Sequence, residues 1–385
     1  DENDQMWFAT KDHGLNRYNP KTANFTHFVH NSEDPSSISP NGVWSIIADG
    51  NYLWMATWGG GLNRFNKTTE TFEHFQHDKN NSNTISDNDV WALIKGDSGA
   101  LWLGTGTGLN KFDPETKQVT RFQHEPDNEN SLSHNFIMAI YQESKSILWI
   151  ATYGGGLNKF NIDTQEFTHF GMKDGFASNN IYSVLPDSEG YLWISSNAGL
   201  TKFNPQSKVV QNFDADDGLQ GDEFNSNAYF KSDSGELFFG GINGYNHFYP
   251  QNIKDNTILP NVVLTDFRVH NEHVNIEAHK DDKTSHDSSL NKAFSIPADI
   301  NQLDELVLTH LEKLISFEFS ALHFAEPMNN KYAYKLEGFD DKWVYTDAEN
   351  RRATYTNLPS GHYTFHVKAS NGDGFWNEEG KTLQV

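Results

Sequence analysis

Cysteine is absent from this 385-residue chain. No disulfide scaffold, thiol nucleophile or Cys-ligated metal site can be built from it. Apolar runs of roughly 18 residues, the length that reads as a membrane-spanning helix, are also missing, as is a recognisable signal peptide. Basic residues are scarce: 29 Lys and Arg stand against 52 Asp and Glu, a net charge of −23. Nucleic acids and anionic membrane surfaces both need an excess of cations, so the balance argues against either as a partner. The motifs HExxH and GxSxG and the phosphate-binding P-loop do not occur, which removes the commonest signatures of metalloprotease, hydrolase and nucleotide chemistry. Hydrophobic residues make up only 36% of the chain, yet aromatics reach 14%, with 28 Phe and 10 Trp. That composition suits many short, half-buried strands rather than long helices.

What is present is repetition. "YLWMATWGGGLNRFN" (52–66), "ALWLGTGTGLNKFD" (100–113), "ILWIATYGGGLNKFN" (147–161) and "YLWISSNAGLTKFN" (191–204) say nearly the same thing. The marker tryptophans Trp7, Trp54, Trp102, Trp149 and Trp193 recur every 44 to 48 residues, and Phe238 fills the slot in a sixth unit. A period in the forties with four short strands per unit predicts a β-propeller blade. In one unit the strands are expected at Val43–Asp49, Leu53–Thr57, Leu62–Asn66 and Thr71–Phe75. The same order is expected from Val90, Ile137, Ile181 and Ala228. Turns such as "DSGA", "DSEG" and "DSGE" join the first two strands, with Gly taking a positive φ. The repeated Trp is expected to pack between neighbouring sheets.

Six blades are visible, the first without its innermost strand and the last without a repeat-type outer strand. The expected reading is the C-terminal part of a larger ring, of seven blades, cut from a longer protein; a closed six-bladed ring is the alternative. The propeller is assigned to residues 1–255. Residues 256–385 read as a second all-β domain, an immunoglobulin- or fibronectin-like sandwich, with 276–293 a surface loop. Its Tyr332, Tyr334, Tyr355 and Tyr363 are expected to face inward and bond backbone groups.

Function would ride on the tips. In a propeller, the turns between strands two and three share one face with the connections between blades. There the frame is constant and the residues vary. Asp12, His13, Trp58, Tyr153, His134, Asn135, Asn180, Glu223 and Asn225 are the candidate ligand-binding residues: flat aromatics for sugar rings, polar groups for hydroxyls. The Asn residues have a competing role in turning the chain into strand one. The acidic run Asp214–Phe224 lacks EF-hand spacing. His27, His74 and His169, on the outer strands, are expected on an exposed face, so no metal and no cofactor is assigned. His13 and His134 keep a propeller lyase open as a lesser alternative.

The units "LWMATWGGGLNRFN" and "LWIATYGGGLNKFN" resemble the two-component regulator propeller repeat. "DGLQGDEFNSNAYFKSDSGELFFGGINGYNHFYP" resembles the last blade of such arrays. "YAYKLEGFDDKWVYTDAENRRATYTNLPSGHYTFHVKASNGDGFW" resembles the three-tyrosine (Y_Y_Y) domain that follows them. The resemblance implies a non-catalytic periplasmic sensor region of a membrane-spanning bacterial signalling protein. It also implies a cytoplasmic histidine kinase or diguanylate cyclase output, a homodimer formed through the sandwich, and an oligosaccharide as a possible ligand. A propeller serving only to dock protein is the second reading.

Overall fold

The computed structural model describes residues 4–276 and 294–385. Contacts divide the chain into two units, Asp1–Ile253 and Lys254–Val385. The expected surface loop lies outside the described residues, except for Ile276, which pairs with Ile296 in a short parallel bridge.

The first unit is six antiparallel sheets in chain order, here blades 1 to 6. Blade 2 runs Val43–Asp49, Tyr52–Thr57, Gly61–Asn66 and Thr71–Phe75, each strand paired to the next. Blades 3, 4 and 5 repeat this order over 90–122, 137–170 and 181–213. Blade 1 has three strands within 6–28, and blade 6 has three within 224–248. The innermost strands of blades 2 to 6 pack side by side in succession. That of blade 6 begins at Phe224, four residues ahead of the expected Ala228, because an irregular register between Phe224 and Tyr229 hides the start. The strand-one turns form as expected, with Gly99, Gly190 and Gly235 at φ 85°, 87° and 87°.

Two repeated devices hold the blades together. Each marker Trp packs on the third-strand Phe of the following blade. The ring centroids are 5.6 Å apart for Trp7–Phe65, 5.7 Å for Trp54–Phe112, 6.0 Å for Trp102–Phe160, 6.2 Å for Trp149–Phe203 and 4.7 Å for Trp193–Phe248. A Lys or Arg one residue before that Phe position covers the Trp of its own blade, as Lys159 does for Trp149 at 5.4 Å. The second device is a fully buried amide. Asn63, Asn110 and Asn158 each accept from the backbone N–H of a serine in the preceding connection, Ser39, Ser86 and Ser133, and donate to the same serine's hydroxyl. A buried amide left unpaired is costly, so this bond fixes the connection over the blade.

His74 and His169 depart from the expected exposed face. Both are half-buried, and the Nε2 of each bonds a carbonyl of the adjacent connection, that of Ser37 and that of Ser131, at 2.8 Å. Arg121 does the same in blade 3 through Thr84 and Ile85. The outer strand folds back over the connection, and a long polar side chain pins it there. His27 remains exposed.

The second unit packs two four-stranded sheets. One has the order Glu272–His273, Asn261–Val269, Leu314–Leu322, Arg352–Thr356. The other has Val344–Thr346, Lys331–Glu337, Thr364–Ser370, Trp376–Gln384. Phe267, Phe317, Phe319, Tyr332, Phe365 and Val367 fill the space between them, with Phe317 stacked on Phe365 at 4.4 Å. The tyrosine hydroxyls divide. Tyr332 accepts from Ala321 N–H and Tyr363 donates to the Pro359 carbonyl. Tyr355 instead donates to the Asp340 carboxylate at 2.9 Å, which also accepts from Leu336 N–H. Burial, and then the Asp340 charge, hold the Tyr355 phenol well above its ordinary range. Above pH ~10 the unfolded chain therefore loses this proton while the folded one keeps it, so stability falls as pH rises. Thermal melts between pH 9 and about 11.5 are expected to decline less steeply for Tyr355→Phe than for the wild type. Equal slopes would show that this phenol does not set the alkaline limit.

Candidate functional site

In blades 2 to 5, the turn between strands two and three hydrogen-bonds to the connection entering the next blade. Gly59 N–H donates to Asp89 Oδ1 at 2.7 Å, the Thr107 carbonyl accepts from Gln123 Nε2 at 2.8 Å, Gly154 N–H donates to the Asn179 carbonyl and Gly199 N–H to the Asp222 carbonyl. The varying tips therefore lie on one face, stitched together. Gly60 lets the same turn approach the connection that enters its own blade: a Cβ there would stand 2.0 Å from the Pro40 ring.

A second set of residues joins them. Every innermost strand of blades 2 to 5 carries a register shift directly after its first residue, spanning Val43/Ser45, Val90/Ala92, Ile137/Ala139 and Ile181/Ser183. A bulge leaves one residue unpaired and re-aims its side chain. Those residues are Trp44, Trp91, Met138 and Tyr182. Two of them, Trp91 and Tyr182, link the tip aromatics into one arc. Trp58 lies 6.3 Å from Trp91, Trp91 5.2 Å from Phe136, Phe136 5.8 Å from Tyr153, and Tyr153 6.4 Å from Tyr182, centroid to centroid. Trp44 packs on Trp91 at 5.0 Å. The arc thus crosses blades 2, 3, 4 and 5. Trp58 and Tyr153 are 47% and 43% exposed, large values for rings of that size in a well-packed unit.

The ends of the arc are polar. The Lys11 ammonium lies 5.8 Å from the Trp58 ring centre. Tyr182 donates to Glu223 Oε1 at 3.0 Å. Burial, and then that carboxylate, keep the Tyr182 phenol protonated far above neutral pH. Asn227, in the irregular stretch of blade 6 at φ 57°, donates to the Trp91 carbonyl at 3.3 Å. Blade 6 thus touches blade 3 at the backbone of Trp91.

The structure brings Trp58, Tyr153 and Glu223 into the arc. His134 is exposed beside Gly154 and accepts from Phe136 N–H at 3.2 Å. Asn180 bridges to Tyr153 through the backbone. Asp12 and His13 are exposed next to Lys11, and Asn225 is exposed in blade 6. Asn135 serves the chain path instead, since its Oδ1 accepts from His124 N–H, as Asn41 and Asn88 accept from His30 and His77. Trp44, Trp91, Phe136 and Tyr182 were not among the residues expected from the sequence. Among the described residues, no three His, Asp or Glu side chains are grouped to hold a metal ion. The acidic run forms a short 3₁₀ turn over Ala215–Asp217, capped by Asp214 and closed by Gly218 at φ 93°. No described helix is long and apolar enough to cross a membrane.

Comparison with known proteins identifies two families along the chain. The two component regulator propeller matches residues 131–154 and 175–198, and the Y_Y_Y domain matches 323–385. Histidine kinase P4 of Formosa agariphila is 35% identical over 212 residues, 55% of this chain and 14% of that protein. The extracellular domain of the putative hybrid two component system BT3049 from B. thetaiotaomicron superposes with a TM-score of 0.75 at 24% identity. It covers all of this chain and 49% of its own. A second such domain, BT4673 of the same organism, gives a TM-score of 0.45 at 18% identity, over all of this chain and 67% of its own. The chain therefore spans a small part of the curated relative and about half of the first solved structure. It is all-β, with two-component regulator propeller repeats followed by a β-sandwich Y_Y_Y domain.

Proposed function

We propose that this chain, a run of two-component regulator propeller repeats ahead of a Y_Y_Y domain, is the ligand-sensing part of a membrane-spanning bacterial signalling protein of histidine kinase type. It works in the periplasm, without catalysis of its own, and pairs with a second copy through the sandwich. Its ligand is a carbohydrate seated on the arc from Trp58 to Tyr182. The arc is the observation that carries this reading: adjoining aromatic rings from four blades, exposed at Trp58 and Tyr153, with hydrogen-bonding groups at both ends. Such a surface suits flat sugar faces, and its polar ends suit hydroxyls. Likeness to a histidine kinase over half the chain supports the signalling role. A ligand can switch such a protein only if it binds two arrangements with different affinity.

Calorimetric titration of the full chain with a panel of oligosaccharides tests the proposal. Saturable binding accompanied by a change in tryptophan fluorescence is the expected result. A chain that binds no saccharide but captures a peptide or protein on the same face would be a docking platform instead.

A further inference from the structure

The carboxylates around the arc carry information about the ligand's charge. Asp89 Oδ1 accepts from Gly59 N–H, directly beside Trp58, and lies two residues before Trp91. Asp87 Oδ1 accepts from Asp89 N–H at 3.1 Å, and its other oxygen lies over Gly106, where a Cβ would come within 3.2 Å. Glu223 accepts from Tyr182 at the far end. Asp12 is exposed at the near end. The Lys11 ammonium lies over Trp58 at the near end of the arc. His13 and His134 are exposed on the same face. Among the described residues, Asp87, Asp89 and Glu223 each hold a structural bond through one oxygen, which leaves the other able to accept from a hydroxyl.

We infer that the arc selects glycans without carboxylate or sulfate groups and rejects acidic ones. This rests on the carbohydrate reading above. An anionic sugar lying along the arc would meet the Asp87 and Asp89 carboxylates near Trp58 and Trp91 and that of Glu223 at the far end, with the Lys11 ammonium over Trp58 in partial compensation. Like charges brought together in a half-buried site oppose binding and discriminate between partners that share a shape. An uncharged glycan meets the same oxygens as hydrogen-bond acceptors.

The test measures affinity of the full chain for hexasaccharides, each uncharged backbone paired with its uronate, its sulfate ester and its amino form. For the backbone that binds, the uncharged or amino member should bind at least about tenfold tighter than the acidic ones. The gap should narrow with added salt, and also in the Asp87→Asn/Asp89→Asn/Glu223→Gln variant. An acidic member binding as tightly as its uncharged partner, with binding lost in Trp91→Ala, would overturn the charge selection and leave the seat intact. Binding by no member would overturn the carbohydrate reading itself, and this inference with it.

Discussion

Trp91→Ala is expected to lower the affinity for a bound oligosaccharide by roughly 30- to 1,000-fold, the range of a central aromatic anchor worth about 2–4 kcal/mol. Trp91 is the one ring of the arc with three aromatic neighbours, Trp44, Trp58 and Phe136. Its carbonyl is also the acceptor for Asn227 of blade 6. Truncating it therefore removes a stacking surface and loosens the rings on either side. Trp58 stands at the end of the arc and is nearly half exposed, so Trp58→Ala should cost less, about tenfold, as rim contacts do. Trp91 is itself only half-buried, and its loss should leave the melting temperature close to wild type. Calorimetry and thermal melts of both variants separate the two effects. Wild-type affinity in Trp91→Ala would move the ligand seat off the arc. A ligand that weakens equally in both variants would place the anchor elsewhere along it.

The frame of the propeller is legible in the sequence because its causes are local and repeated. A Trp every 44 to 48 residues, the Asp-Ser-Gly turns and the "GLN" triplet recur because every blade solves the same packing problem. Asn158, the last residue of one such triplet, is the buried clamp on Ser133. The exposure of Trp58 and Tyr153 was readable too, since neighbouring glycines cannot cover a ring. Trp44, Trp91 and Tyr182 were not legible. Strict alternation along a strand would send each toward a neighbouring sheet, and only the bulge after Val43, Val90 and Ile181 re-aims it. A bulge is a property of strand pairing, so a single strand's pattern does not record it. One signal was available: between units, the first residue of strand one stays Val or Ile, while the second changes from Trp to Met to Tyr. The start of blade 6 was hidden for a related reason. The stretch Asn225–Ala228 interrupts the pairing, and its Asn-rich sequence reads as a connection. Tyr355 illustrates a third limit. Its inward direction follows from alternation, but its partner Asp340 sits on another segment of the sandwich, a contact set by tertiary packing.

Trp149→Ala is expected to destabilise the first unit by about 3–5 kcal/mol, the cost of deleting a large buried aromatic and leaving a cavity. Trp149 is wholly buried. It packs on Phe170 of its own blade at 5.8 Å and on Phe203 of blade 5 at 6.2 Å, lies under Lys159, and donates from its indole N–H to Glu143 at 3.0 Å. All of these go at once, and the packing on Phe203 is one of the contacts that join blade 4 to blade 5. At about 2–4 °C per kcal/mol for a unit of this size, the transition should fall by on the order of 10 °C in calorimetry. The equivalent Trp54 separates the indole hydrogen bond from the ring packing. Its N–H has no partner among the described residues, whereas that of Trp193 bonds Asp187 at 3.0 Å. Trp54→Phe removes a buried unpaired donor along with some volume. Trp193→Phe removes a satisfied donor and leaves a buried carboxylate oxygen without it. The second change should therefore cost about 1–3 kcal/mol more than the first. Equal losses would mean that ring packing alone sets the strength of the join. A small loss in Trp149→Ala would mean that the blades are held chiefly by the Asn–Ser clamps over their connections.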